Sequence, residues 1–207
     1  MRWIASIKGH KIVVSSEQLD AFRQIYLEKE LSSRLSDLII FDMCILDLKF
    51  GIAPQEILAS IKSLERGELC GNIKPATQFN KPPLKGLWHK HYFSARFLAQ
   101  NISLGLGRNG LEKLIREVLD PSEPTITKEM IQELAHRISH EPFEQRVAEK
   151  RLTGEWIIFA KHGGVNYYLS LDTHRSGDQN IFDRIMNYCP RNFPDLRAWI
   201  TATVKDS

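Results

Sequence analysis

The stretch that most constrains this chain is Gly154–Asp183, GEWIIFAKHGGVNYYLSLDTHRSGDQNIFD. Two runs rich in apolar, β-branched and aromatic residues flank Gly163-Gly164, and paired glycines supply the positive φ values that a two-residue hairpin turn needs. With those glycines at the centre of the turn, His162 pairs with Val165, Lys161 with Asn166, Ala160 with Tyr167 and Phe159 with Tyr168. Side chains alternate along a strand, so Trp156, Ile158, Ala160, Tyr167, Leu169 and Leu171 are expected to share the core face. Ile157, Phe159, Lys161, Tyr168 and Ser170 take the other face, which is half apolar and needs partial cover. A polar loop carrying Thr173, His174, Arg175 and Asp178 leaves the far end of the second strand, and a helix follows.

Before this hairpin the pattern is mainly helical. Trp3–Ser15 reads as a short hairpin turning at Lys8-Gly9-His10, and Ser15 or Ser16 caps a helix striped by Leu19, Phe22, Ile25 and Tyr26. Asp37–Phe50 suits a buried helix by its length, although Leu38–Phe41 alone would suit a strand. Pro54 opens the next helix, with Ile57, Leu58, Ile61 and Leu64 as its stripe and Gly67 beyond its end. Glu68–Leu87, with three prolines, reads as an irregular connector. Leu87–Phe93 fits either a strand or the opening of a helix that runs to about Ile102; as a strand it sets His89 and His91 on one face and Trp88, Lys90 and Tyr92 on the other. Leu104–Gly110 reads as a glycine-rich turn between helices; it lacks the Lys-Ser/Thr of a phosphate-binding loop. Leu111–Leu119 is a short amphipathic helix, Asp120–Pro124 the clearest linker, and Thr125 or Thr127 the cap of a helix striped by Ile131, Leu134, Ala135 and Ile138. A charged helical piece starts near Glu141, and a final helix covers Leu196–Val204.

These elements predict an α+β protein, a largely helical N-terminal two-thirds packed on a small antiparallel sheet, with a C-terminal helix. The expected division is 1–120, mostly helical with an N-terminal hairpin, and 125–207, which joins it as one continuous domain or stands beside it. A length of 207 residues with 43% hydrophobic content suffices for one sizeable core. A net charge of +3 permits an anionic partner without the dense basic stripes of a dedicated nucleic-acid binder. Three separated cysteines, Cys44, Cys70 and Cys189, form no CxxC pair and argue against a disulfide framework or zinc knuckle. The N-terminus has no continuous apolar run of signal-peptide kind, and the Leu38–Leu48 run is interrupted by Asp42 and Asp47, so a cytoplasmic protein without a membrane span is expected. No metal or other cofactor is expected; His136 and His140 have zinc-compatible spacing but no HExxH pattern.

The conspicuous histidines do not form one site. His162, at the turn, is roughly 20 Å along the strands from the His174 loop. The better grouping joins that loop to Trp88-His89-Lys90-His91-Tyr92. Two imidazoles and a cation suit metal-independent RNA cleavage, in which one histidine takes the 2′-hydroxyl proton, another protonates the leaving 5′-oxygen, and Lys or Arg steadies the charge on the phosphorane. His91 and His174 are the candidate acid and base, in either order; Lys90, Arg175, Tyr92, Lys161 and Tyr168 are the candidate substrate-binding residues. The bland readings are that His89 and His91 mark a core margin and that His174 is a surface turn residue.

A His/Lys/Tyr-bearing segment followed by the late hairpin VNYYLSL and a THR loop resembles the barnase- and EndoU-like metal-independent ribonuclease toxins of bacteria. The likeness covers about Lys85–Phe93 and Gly154–Asp183 and lies in residue types and layout. It implies an endoribonuclease of toxin or phage-defence type, RNA as substrate and a cognate inhibitor or antitoxin protein as partner. The competing reading is a non-catalytic protein- or nucleic-acid-binding module with Trp88, Tyr92, Tyr167 and Tyr168 as its recognition surface.

Overall fold

The computed structural model describes residues 2–7, 10–68, 75–92, 98–119, 125–148, 155–173 and 176–205. In chain order, strands β1 (Arg2–Ile7) and β2 (His10–Ser15) form an antiparallel pair, followed by helices α1 (Ser16–Tyr26), α2 (Lys29–Ser32), α3 (Asp37–Phe50) and α4 (Pro54–Glu65). Then come β3 (Thr77–Gln78), β4 (Trp88–Tyr92), α5 (Leu98–Leu106), α6 (Gly110–Val118), α7 (Lys128–Ser139) and α8 (Glu141–Ala148). The chain closes with β5 (Glu155–His162), β6 (Val165–Asp172), α9 (Asp178–Tyr188), a 3₁₀ turn at Cys189–Arg191 and α10 (Leu196–Lys205). The fold is α+β with antiparallel sheets. Among the described residues no helix is long and apolar enough to cross a membrane. The expected turn at Lys8-Gly9 and linker at Asp120–Pro124 lie outside the described residues.

The chain divides into two units, and the division differs from the expected one. A sheet unit comprises Met1–Cys70, Lys74–Tyr92 and Glu155–Ser207; a helical unit comprises Gly71–Ile73 and Phe93–Gly154. The break at the linker near residue 120 is therefore not the main boundary. The helical unit is an insertion between β4 and β5, strands that pair with each other.

In the sheet unit, local signals set the helix starts. Ser15 caps α1 in a reciprocal box: its hydroxyl accepts from the Gln18 N–H at 3.3 Å and the Gln18 side chain accepts from the Ser15 N–H at 2.8 Å. Ser36 caps α3 by accepting from the Ile39 N–H. Helix α3 is buried from Leu38 through Met43 and again at Ile45, as expected of a helix that is apolar all round.

The second sheet has the strand order β3-β4-β5-β6, antiparallel throughout. All four pairs counted back from Gly163-Gly164 are present, with φ of 58° and 76° at the two glycines. Beyond Phe159 a bulge shifts the register, so Ile158 faces Ser170, Ile157 faces Leu171 and Trp156 faces Asp172. Leu171 therefore does not share the face of Trp156, as a regular ladder required; Asp172 does. Both faces are covered: Trp156 through Ala160 are all buried. The outer edge of β6 is closed by the segment before α3. The Tyr168 N–H donates to the Arg34 carbonyl at 2.8 Å, the Ser36 N–H donates to the Tyr168 carbonyl at 2.9 Å, and the Ser36 hydroxyl donates to the Leu169 carbonyl at 2.6 Å. These bonds leave no open strand edge along this stretch.

In the helical unit, α5 packs on α8 and α6 on α7. Helix α5 runs through Leu106, so Gly105 is a helical residue rather than part of a turn. Glycine is needed there by a close approach: a Cβ at Gly105 would stand 2.5 Å from the Pro142 carbonyl oxygen and 2.6 Å from the Pro142 Cβ. Of the two candidate caps, Thr125 and Thr127, it is Thr127 that caps α7, accepting from the Met130 N–H at 3.2 Å.

Candidate active site at the end of strand 4

Strand β4 exists because β5 lies beside it. The pairs Trp88↔Phe159, His89↔Ile158, Lys90↔Ile157, His91↔Trp156 and Tyr92↔Glu155 fix its register. The strand alternative for this segment is thus the observed one, with His89 and His91 on one face and Trp88, Lys90 and Tyr92 on the other. His91 is half-buried, its ring centroid 5.6 Å from that of His89 and 6.3 Å from that of Trp156. His89 is held more tightly: its ring lies 4.5 Å from Phe79 and 5.1 Å from Trp156, and its Nε2 is 3.1 Å from the Thr77 hydroxyl.

The expected substrate-binding residues do not gather around His91. Lys90 is 2% exposed and Tyr92 fully buried, both on the face opposite His91. Burial, followed by the charges of Glu155, Asp42 and Glu56, pushes the Tyr92 hydroxyl well above the usual phenol range. Tyr168 is also fully buried, and its hydroxyl donates to Glu65. Lys161 is exposed at the turn end of β5, with its Nζ 3.9 Å above the Trp88 ring. One cleft therefore cannot hold His91, Lys90, Tyr92 and Tyr168 together. His174 and Arg175 lie outside the described residues.

The residues flanking those two are described. The Ser176 N–H donates to the Thr173 carbonyl at 3.1 Å, and the Thr173 N–H donates to the Ser176 hydroxyl at 3.3 Å. Just before them, Asp172 is level with Trp156 on β5, which is level with His91 on β4. Two strand spacings separate Asp172 from His91, about 10 Å at the backbone. Asp172 is anchored from below. Arg184 of α9 donates to Asp172 at 2.8 Å and to Asp42 of α3 at 2.6 Å, and Asp42 also accepts from the Leu171 N–H at 3.0 Å. Burial pushes the Asp42 carboxyl up to about 6 against the pull of Arg184, and burial raises Asp172 in the same direction.

This anchor was not foreseen, because its members are far apart in the chain. The one visible sign was an acid inside the apolar run of α3, at Asp42. A second polar knot, also unforeseen, lies at the turn end of β6. There Glu65 of α4 accepts from the Tyr168 hydroxyl, from Asn166 at 3.0 Å and from Arg34. Burial works against its charge, but these three donors hold the carboxyl below its ordinary range. A groove of about 600 Å³ opens over this knot. It lies at the opposite end of β6 from Asp172, so it offers no chemistry to the histidine end.

Neither thiol in the described residues is poised to react: burial pushes Cys44 up to about 11 and Cys189 up to about 12. His136 and His140 stack at 4.8 Å on the helical unit, and among the described residues no group of three or more His, Cys, Asp or Glu side chains could hold a metal ion. Comparison with protein-family models, with curated proteins and with solved structures finds no match to this chain.

Proposed function

We propose that this chain is a metal-independent endoribonuclease of bacterial toxin or phage-defence type, working at the β4 end of its sheet. The observation that supports the reading is the register: His91, Trp156 and Asp172 stand level across three strands, so Asp172, two residues before His174 in the chain, lies about 10 Å from His91 at the backbone. One imidazole takes the proton of the 2′-hydroxyl as its oxygen attacks phosphorus. The bond to the 5′-oxygen breaks, the other imidazole protonates that oxygen, and a 2′,3′-cyclic phosphate remains. Arg175 is the cation assigned to the phosphorane oxygens, since Lys90 is buried on the opposite face. Lys161, whose Nζ lies over Trp88, is on the face opposite His91 and takes no part in this reading. A cytoplasmic setting and a cognate inhibitor protein accompany this reading. The competing recognition surface is weakened by burial, because Tyr92 and Tyr168 offer no surface to a partner.

The test is cleavage of total RNA by purified protein in excess EDTA, beside His91→Ala and His174→Ala. The expected result is cleavage by the wild type and a loss of at least about 100-fold in both variants, with unchanged circular dichroism. No cleavage by the wild type, or full activity in either variant, would overturn the assignment.

A further inference from the structure

We infer that His89 is a positioning residue for His91, held by Thr77, and is not itself a proton-transfer group; this rests on the ribonuclease reading above. The two histidines share a face of β4 and invite assignment as an acid–base pair. Their surroundings separate them. The Nε2 of His89 is engaged with the Thr77 hydroxyl at 3.1 Å, and its Nδ1 is buried from solvent. Neither ring nitrogen is presented to a phosphate. Phe79 and Trp156 flank the ring at 4.5 and 5.1 Å and prevent it from swinging out. His89 in turn meets His91 edge to face at 5.6 Å and occupies one side of the space open to that ring.

Strand β3 is what supplies this support. It consists only of Thr77 and Gln78, and the pair Thr77↔His89 places the hydroxyl beside the imidazole. The Phe79 N–H donates to the Leu87 carbonyl at 2.9 Å and extends the pairing by one residue, which seats the Phe79 ring on His89. The arrangement is that of a reacting imidazole, acid or base, steadied by a neighbour one step removed from the reacting atoms.

The experiment uses Thr77→Val, Thr77→Ser and His89→Gln in the full chain, with two readouts. In cleavage assays Thr77→Val and His89→Gln are expected to lower kcat about tenfold to a hundredfold, the scale of a small misplacement of a reacting group, with KM within twofold. Thr77→Ser restores kcat, and both limbs of the pH profile persist in every variant. In ¹⁵N spectra of the imidazoles, Thr77→Val is expected to shift or broaden the His91 ring signals, and Thr77→Ser to return them. Loss of one pH limb in His89→Gln would make His89 an acid or base and overturn the inference. So would an unchanged kcat in Thr77→Val. If the wild type cleaves no RNA, the functional reading fails by itself. The spectra then decide the positioning relation alone, and His91 signals indifferent to Thr77→Val would end it.

Discussion

Asp42 is 8% exposed and keeps two partners, the Leu171 N–H and Arg184, while Arg184 keeps a second carboxylate in Asp172. Desolvation outweighs the arginine and lifts the Asp42 carboxyl from the ordinary 3.8 to about 6. The consequence for stability has an unusual sign for an aspartate. Between those two values the folded chain holds more protons than the unfolded chain, so this group's contribution is complete below 3.8 and is lost as pH rises through 6. Two pH units correspond to at most about 3 kcal/mol. Asp42→Asn keeps an oxygen for the Leu171 N–H and leaves Arg184 its bond to Asp172. Urea titrations at pH 4 and pH 7 are expected to show the wild type losing up to about 3 kcal/mol relative to Asp42→Asn over that interval. Parallel pH profiles would mean that Arg184 fully compensates the buried charge. Glu65 works in the opposite sense: its depressed carboxyl contributes above the unfolded value, and that contribution is lost as pH falls. Glu65 is common to both Asp42 proteins and cancels in their difference, which reports the linked Asp42–Arg184–Asp172 group.

Among the elements, α5 gives the sharpest contrast between local preference and packing. Helix propensity alone says that Gly105→Ala should stabilise the helix by about 1 kcal/mol. The close approach of Pro142 says the reverse, since backbone at 2.5 Å cannot yield as a flexible side chain could. Gly105→Ala is expected to destabilise the helical unit by about 1–3 kcal/mol, read as faster amide hydrogen exchange in α5 and α8 with the sheet unit unchanged. Slower exchange there would show that propensity wins. The same contrast separates what the sequence disclosed from what it did not. The register next to Gly163-Gly164 was legible because the turn determines it, and it failed where a bulge at Ile158/Phe159 added a residue that no local signal marks. The caps at Ser15 and Thr127 were legible to within one or two residues, because each acts within three residues. Strand β3 was not, since two residues carry no periodicity and Thr77–Gln78 is a strand only because β4 pairs with it. At the candidate site the alternation of His89 and His91 could be read directly. The burial of Lys90, the Thr77 contact and the Asp42–Arg184–Asp172 anchor could not, because each depends on residues brought from elsewhere in the chain.

At the scale of the whole molecule, the insertion of one unit within the other makes a separable prediction. Tyr92 and Glu155, the residues bordering Phe93–Gly154, are direct partners on adjacent antiparallel strands. Their Cα atoms are therefore about 5 Å apart, a gap that a two-residue hairpin turn spans. Nothing in the register of the sheet unit requires the inserted residues to join them. Replacing 93–154 by Asn-Gly closes β4 onto β5 directly and shortens a long loop closure, which lowers the entropic cost of bringing the strands together. The shortened chain is expected to unfold in one cooperative transition and to retain the His89 and His91 ring signals of the full protein. If it also cleaves RNA, the chemistry belongs to the sheet unit and the insertion serves another purpose, such as substrate selection. If it folds with those signals intact but does not cleave, the insertion supplies part of the site and the pairing of His91 with the His174 loop is insufficient. Failure to fold would show that β4 and β5 pair only because the helical unit holds their ends, contrary to the independence implied by the direct Tyr92↔Glu155 pairing.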